Sequence, residues 1–242
     1  LTEGELIKDL EGMIIDKLPI KLKTTIKRSV CRVEIVKWDS QEDIRYELFN
    51  RLNTGASPLS EQEIRNCIFR GYQVDLNSVL RKVAKKPEFI EIISPSDSKL
   101  EQMFLEELAL RFFAFKNLEG DFKTTVPQFL SEFMKSVSNA STQFDLNLEE
   151  KNLNEFIEYI ATRHGKSVFR PKGNFALHIF DSLAYALPKT FGSVIGNEDA
   201  IDEKIEILLN DTVYNSIGTS TFSTGRIRKR MDRALEIFAG GA

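Results

Sequence analysis

The stretch "FNRLNTGASPLSEQEIRNCIFRG", residues 49–71, decides the fold because it ends one predicted helix and begins another. Gly55 is placed as a left-handed C-terminal cap for a helical pattern that begins at Ser40. Ser60 and Glu63 have the spacing of a capping box, in which each side chain accepts a hydrogen bond from the other residue's backbone N–H. The sequence therefore predicts two helices joined by a short turn.

The turn between these helices is a candidate anion site. Backbone amides at the start of a helix are unpaired and carry the positive end of the helix dipole, so they attract phosphate. The alternative is that Asn53 and Gly55 are ordinary turn residues and that the nearby arginines are solvated helix-surface charges. The candidate phosphate- or nucleic-acid-binding residues of this stretch are Arg51, Asn53, Thr54, Gly55, Arg65 and Asn66.

Composition narrows the class of protein. The chain has 242 residues, 42% of them hydrophobic, which is enough for a sizeable buried core. The 18 phenylalanines, against a single tryptophan, predict a core filled by phenylalanines on helices. The formal net charge of −3 excludes a polycation, so any contact with nucleic acid needs a local basic patch.

The location of the protein is predicted from hydropathy and cysteine usage. No apolar run approaches the ~20 residues needed to span a bilayer, so we expect no membrane association. Cys31 and Cys67 have neither zinc-ligand spacing nor a disulfide framework, and both are predicted to be small buried hydrophobes. These features predict a protein of the reducing cytoplasm.

The predicted fold class is mainly α, with one strand at Val30–Trp38, where "VCRVEIVKW" alternates with period two. A single strand leaves backbone groups unpaired, so we expect an upstream segment or a second copy of the chain to complete the sheet. Near Gly71 the sequence changes from an α+β portion, residues 1–71, to a helical domain, residues 72–242. Helical patterns cover 40–55, 60–71, 75–84, 97–116, 126–138, 148–163, 174–187, 198–215 and 226–238.

A second basic cluster lies in "TSTFSTGRIRKRMDRALEIF", residues 219–238, where Thr224 is predicted to cap a helix. Cations at a helix N-terminus oppose the macrodipole, which is unfavourable unless an anion or an acidic partner compensates. Phosphate or nucleic acid is one such partner, and an acidic helix at 199–206 is the alternative. A third basic group, at 17–32, is expected to be a solvated face. The candidate phosphate-contacting residues of the second cluster are Arg226, Arg228, Arg230 and Arg233.

The histidines indicate no metal site. His178 and Asp181 lie three residues apart on an apolar helix, which favours a hydrogen-bonded core histidine over a catalytic pair. His164 precedes Gly165 at a predicted helix end, where capping explains it. Two histidines without further ligands at suitable spacing do not bind a metal, so we expect none.

The residues from Phe49 to Asn66 resemble the motif F-x-R-L-N-T-G-x-x-x-L-x-x-x-E-[LI]-R-N of the GmrSD-type family, the ParB/sulfiredoxin-like proteins also called domain of unknown function 262. The upstream segment and the helical remainder, including "STFSTGRIRKRMDRALEIF", are similar to this family too. The resemblance therefore covers nearly the whole chain, and it implies that residues 1–71 are the end of a ParB-like α+β domain.

The resemblance implies a nuclease-related protein of bacterial restriction or anti-phage defence, acting in full as an NTP-dependent DNA endonuclease with a nucleoside triphosphate and Mg. The family's D-G-Q-Q-R run and the H-N-H nuclease domain of some members do not occur in this sequence. We therefore expect a part that binds nucleotide or DNA phosphate but is inactive alone, with no cofactor evident from this chain. Two alternatives stay open: a non-catalytic helical module that binds DNA or a protein, and a scaffold that lends its strand to another subunit.

Overall fold

The computed structural model describes residues 13–30, 48, 58–72, 74–120, 123–220 and 223–240. This part of the chain is mainly helical and contains no strand. The strand predicted at 30–38 lies outside the described residues apart from Val30, which is not in a strand. The chain divides into two compact units, Leu1–Gln41 and Glu42–Ala242.

The first unit contains a short 3-10 turn, Ile15–Lys17, and helix α1, Ile20–Arg28, which the sequence did not predict. No side chain caps the start of α1, where Pro19 is the N-cap. Lys17, Lys27 and Arg28 are exposed, which agrees with the predicted solvated basic face.

The second unit is a bundle of helices. The helix that follows Ser60 packs with the rest of this bundle. The helices are α2 (Glu61–Ile68), α3 (Leu76–Ala84), α4 (Pro87–Ile93), α5 (Asp97–Glu101), α6 (Phe104–Lys116), α7 (Val126–Ser138), α8 (Leu146–Arg163), α9 (Leu177–Phe191), α10 (Glu198–Asn210), α11 (Thr212–Ser216) and α12 (Thr224–Phe238). A 3-10 turn, Gly165–Phe169, joins α8 to α9.

The capping box at the start of α2 is confirmed. The Ser60 Oγ accepts the Glu63 N–H at 3.2 Å, and the Glu63 Oε2 accepts the Ser60 N–H at 2.7 Å. The same hydroxyl donates to the carbonyl of Gln102 at 2.7 Å. The entry to α2 is thus fixed both by its own first turn and by the α5–α6 junction.

Two predicted helices are interrupted. The segment 97–116 breaks where Met103 adopts φ of 58°, a left-handed conformation that separates α5 from α6. The segment 198–215 breaks at Asp211, whose side chain accepts the Tyr214 N–H at 2.6 Å and so begins α11. A left-handed residue in the first case and a side-chain cap in the second interrupt a helical pattern that continues through each position.

Helix α6 lies at the centre of the bundle, in contact with α3, α7, α8 and α9, and α9 packs in turn against α12. Its phenylalanines Phe112, Phe113 and Phe115 are buried, and the Phe112 ring lies 5.1 Å from that of Phe156 on α8. The prediction of a phenylalanine-filled helical core is therefore confirmed. In the described part of the chain, no helix is long and apolar enough to cross a membrane.

Cys67 corrects one prediction, because its side chain is exposed and not buried. Helix α2 buries the side that carries Ile64, Arg65 and Ile68, and Cys67 projects from the other side of the helix. Cys31 lies outside the described residues.

Candidate functional site

The predicted phosphate-binding turn lies only partly within the described residues. Arg51, Asn53, Thr54 and Gly55 lie outside them, whereas Arg65 and Asn66 are described on α2. The Arg65 side chain is 0% exposed, so it is not available to a phosphate in this structure.

Arg65 instead joins three parts of the bundle. Its Nε donates to Gln62 at 2.8 Å, its Nη1 to the carbonyl of Pro127 at 3.4 Å and its Nη2 to Glu107 at 3.1 Å. Asn66 is also used internally, since its Nδ2 donates to Glu106 at 2.6 Å. The described half of the motif is therefore a structural anchor that holds α2 against α6 and α7.

Glu107 connects Arg65 to a buried chain of charges. Arg111 donates to Glu107 at 3.0 Å and forms two hydrogen bonds to Asp181, at 2.9 and 3.2 Å. Burial raises the pKa of Glu107, but the charges and hydrogen bonds of the two arginines outweigh it and leave the pKa below its usual value. Burial raises the pKa of Asp181 to about 6 against the opposing effect of Arg111. The chain alternates in sign, and each guanidinium has a carboxylate partner.

The arginines of α12 do not form one exposed face. Arg230 is 2% exposed and donates to the carbonyls of Gly218 and, at 2.8 Å, Ser220. Arg233 pairs with Asp211 at 2.7 Å and with Glu236 at 3.0 Å. The direct phosphate contacts predicted for Arg230 and Arg233 are thus replaced by internal ones.

Arg226 and Lys229 are exposed at the start of α12, as a phosphate contact requires. The N-cap is Ser223 and makes no capping hydrogen bond, so the predicted cap at Thr224 is wrong by one position. The acidic helix predicted as an alternative partner is used elsewhere, because Arg163 pairs with Asp199 at 2.5 Å and with Asp202.

A second group of cations surrounds the end of α6. Arg228 donates to the carbonyl of Gly120 at 2.8 Å, and Lys189 donates to that of Leu118 at 2.8 Å. Burial lowers the pKa of Lys189, and the charge of Glu119 opposes this effect. The positive charges of Lys116 and Arg228 lower the pKa of Lys189 further. Cations from α6, α9 and α12 therefore lie within electrostatic reach of one another.

A pocket of about 360 Å³ opens beside the first turn of α9. We call it the His178 pocket. None of the described residues that line it is acidic. The lining residues are Pro171, Lys172, Asn174, Phe175, Ala176, Leu177, His178, Ile179, Leu209, Tyr214, Asn215, Ile217 and Thr219.

The sequence favoured a hydrogen-bonded core histidine at His178 over a catalytic pair with Asp181, but the structure places His178 half-buried in this pocket. Asp181 points to Arg111, and the His178 ring makes no hydrogen bond to another described residue. Burial lowers the pKa of His178 to about 4, with further lowering by the charges of Arg230 and Lys172. The imidazole is therefore neutral at pH 7.

His164, in contrast, belongs to a cluster at the end of α8. The Tyr159 hydroxyl donates to Asp202 at 2.6 Å and lies 3.1 Å from the His164 Nε2, which is 2.8 Å from the same carboxylate. These contacts join α8 to α10.

No family model, no curated protein and no solved structure matches this chain. The described residues also contain no group of three or more acidic, histidine or cysteine side chains arranged to hold a metal ion. Sequence reasoning missed the His178 pocket, because its walls come from α9, α10, α11 and the loops beside them. The only local signal was a histidine in the first turn of an apolar helix.

Proposed function

We propose that this chain is the phosphate-binding helical part of a GmrSD-type protein of restriction or anti-phage defence. The R-L-N-T-G motif supports the family, and the anchoring of its downstream half on α6 and α7 supports a fixed position for it. On this proposal, the chain binds the phosphates of a nucleotide or of DNA, and the hydrolytic chemistry belongs to the D-G-Q-Q-R part that this sequence lacks.

The observation that carries the proposal is the group of cations at the start of α12 and the end of α9. Arg226 and Lys229 are exposed, Lys189 and Arg228 donate to carbonyls of the loop that follows α6, and Arg228 also pairs with Asp232 at 2.8 Å. Like charges at short range repel one another, so an anion bound among them lowers the free energy of the group. Phosphates of nucleic acid are the anions that such basic patches bind.

On this proposal, the described helices contribute cationic contacts to the phosphates of the nucleotide or of DNA.

A second candidate function is a non-catalytic module that binds DNA or a protein partner. It is favoured by the roles of Arg65 and Asn66, which are committed to internal contacts and therefore take no part in chemistry. Both candidates use the same exposed cations, and they differ in whether nucleotide is hydrolysed once the D-G-Q-Q-R part is supplied.

The proposal is tested by the salt dependence of binding to a 20-base-pair duplex, followed by fluorescence anisotropy between 50 and 200 mM NaCl. We expect the double substitution Arg226→Gln, Lys229→Gln to reduce the slope of log K against log [salt] by about 1 to 2, since each phosphate contact contributes about 0.9. The matched control replaces two exposed lysines elsewhere, Lys85→Gln and Lys166→Gln, and leaves the slope unchanged. Equal effects of the two pairs, or no binding at 50 mM NaCl, would remove the proposal.

A further inference from the structure

We propose that the His178 pocket binds a small aromatic anion, consisting of one or two rings that carry a carboxylate or a phosphate. The site is assigned from its own charge, shape and lining, and neither Arg226 nor Lys229 is among the lining residues.

The charge around the pocket calls for an anion. Arg230 is 2% exposed and forms hydrogen bonds to backbone carbonyls, and no carboxylate of a described residue lies within ion-pair distance of it. Burial lowers the pKa of Arg230, and the charges of Tyr214 and Asp181 oppose this only in part, so the desolvation of the guanidinium is incompletely offset. The charge chain from Arg65 to Asp181 is already balanced, so Asp181 is committed to Arg111 and not to Arg230.

The field of Arg230 reaches the pocket. Its charge acts on both His178 and Tyr214, and Lys172 adds a second positive charge at the pocket itself. Asp181 acts on Tyr214 with the opposite sign, but no described lining residue is acidic, and Lys172 is the charged side chain that lines the pocket. An anion entering it gains from both cations without displacing an existing ion pair.

The walls favour a planar ring. The His178 and Tyr214 rings lie 6.1 Å apart at an interplanar angle of 31°, and Phe175 forms another aromatic wall. The Tyr214 hydroxyl lies 2.9 Å from that of Ser182 and donates to the His178 carbonyl at 3.2 Å, which fixes Tyr214 behind the partly buried rings of Phe175 and His178. Aromatic faces at such spacing favour stacked or edge-on contact with a further ring.

The remaining polar groups fix the orientation of the ligand. Asn174 and Lys172 are exposed at the pocket, and the neutral imidazole of His178 can donate or accept one hydrogen bond. The volume of about 360 Å³ lies at the small end of ligand pockets, which span roughly 300 to 1,000 Å³. A single-ring or two-ring anion fits this size, and a longer oligonucleotide does not.

The ligand class is tested by titration with benzoate and phenyl phosphate at pH 7, followed by isothermal calorimetry. Benzamide and benzylamine supply the same ring without a negative charge, and inorganic phosphate supplies the anion without a ring. We expect either aromatic anion to bind at least tenfold more tightly than all three controls. Binding of benzamide or benzylamine as tight as that of the anions, binding by inorganic phosphate alone, or no binding by any of them would overturn the proposal.

The location is tested with matched variants. Thr219→Trp fills the pocket from its exposed edge and is expected to abolish binding, whereas Ser216→Trp, at an exposed position outside the lining, leaves it intact. Lys172→Gln is expected to weaken binding about threefold to fivefold, and Lys166→Gln leaves it unchanged. Thermal melts followed by circular dichroism confirm that each variant is folded. Full binding by Thr219→Trp would place the ligand elsewhere.

The two histidines of the chain give a readout that does not depend on mutation. An anion beside His178 stabilises the imidazolium, so saturating benzoate is expected to raise the pKa of His178 above its ligand-free value of about 4. His164 lies among α8 and α10 residues and serves as the internal reference in the same NMR titration. A shift at His164 without one at His178 would contradict the site, and failure of DNA binding would leave this test unaffected.

Discussion

Two neighbouring glutamates on α6 provide a sharp test of the buried charge chain. Glu107 accepts hydrogen bonds from Arg65 and Arg111, whereas Glu106 accepts one from Asn66. Their pKa values move in opposite directions: burial raises that of Glu106, and the two arginines hold that of Glu107 below its usual value. Replacing either glutamate by glutamine therefore removes one negative charge from α6. At Glu107 the charge that is removed is stabilised by two arginines, whereas at Glu106 it is destabilised by burial.

The expected costs follow from what each substitution leaves behind. Glu107→Gln leaves two buried guanidinium groups with one carboxylate between them, Asp181. Removing one partner of a buried ion pair costs about 3 to 5 kcal/mol, and the partial exposure of Glu107 favours about 3 kcal/mol. Glu106→Gln keeps an acceptor for Asn66 and removes the cost of burying a charge, so we expect a loss below about 1 kcal/mol.

The assay is urea unfolding followed by circular dichroism at pH 7, with thermal melts as a second measure. A loss of about 3 kcal/mol corresponds to a fall in Tm of about 6 to 12 °C for a chain of this size. Because the folded-state pKa of Glu107 is lowered, its contribution exists above pH 4.5 and is lost as the pH falls further, so the difference between wild type and Glu107→Gln narrows in acid. Equal losses for the two variants at pH 7 would show that the charge of Glu107 does not stabilise the fold.

Three further predictions concern single interactions. Because the pKa of His178 is lowered in the folded protein, the unfolded chain takes up this proton at a higher pH than the folded chain does. As the pH falls from 6.5 to 4, the free energy of unfolding of wild type should therefore fall by about 1 to 2 kcal/mol more than that of His178→Gln, a figure that allows for the partial exposure of the ring. Parallel curves of stability against pH for the two proteins would contradict this. Ser60→Ala should cost about 1 to 2 kcal/mol in urea unfolding, while Ser96→Ala, at an N-cap that makes no capping bond, should cost almost nothing. Tyr159→Phe should cost about 1 to 2 kcal/mol by losing the hydroxyl bond to Asp202, and a loss of the same size in an Asp202→Ala background, which has no side-chain acceptor, would show that the hydroxyl acts through other contacts.

Local signals in the sequence predicted several features correctly. The capping box at Ser60 and Glu63 needs only two residues three positions apart, so spacing alone identifies it. The helical patterns of α3 and α7 match the structure because their apolar faces point into one core. A central helix rich in phenylalanine was also predictable, since its apolar positions cover most of its circumference.

The features that sequence did not predict depend on distant partners. Arg65 is buried where it pairs with Glu107, which lies on another helix. The two residues are 42 positions apart in the chain, so no local pattern indicates their contact. Arg230 is buried because the carbonyls of Gly218 and Ser220 fold back onto it. The helix Pro87–Ile93 was missed because Ser94, and not a glycine, adopts the left-handed conformation that ends it. An arginine in an amphipathic helical pattern does not by itself show whether the helix face that carries it is exposed or is covered by another part of the chain.

The measurement that tests the proposed phosphate binding most directly is NMR of the lysine and arginine side-chain signals during titration with a short DNA duplex. The account predicts salt-sensitive shifts at Arg226, Arg228, Lys229 and Lys189, with the buried Arg65 and Arg111 unchanged as internal references. Unchanged signals at the exposed cations, or shifts that persist undiminished at high salt, would contradict it.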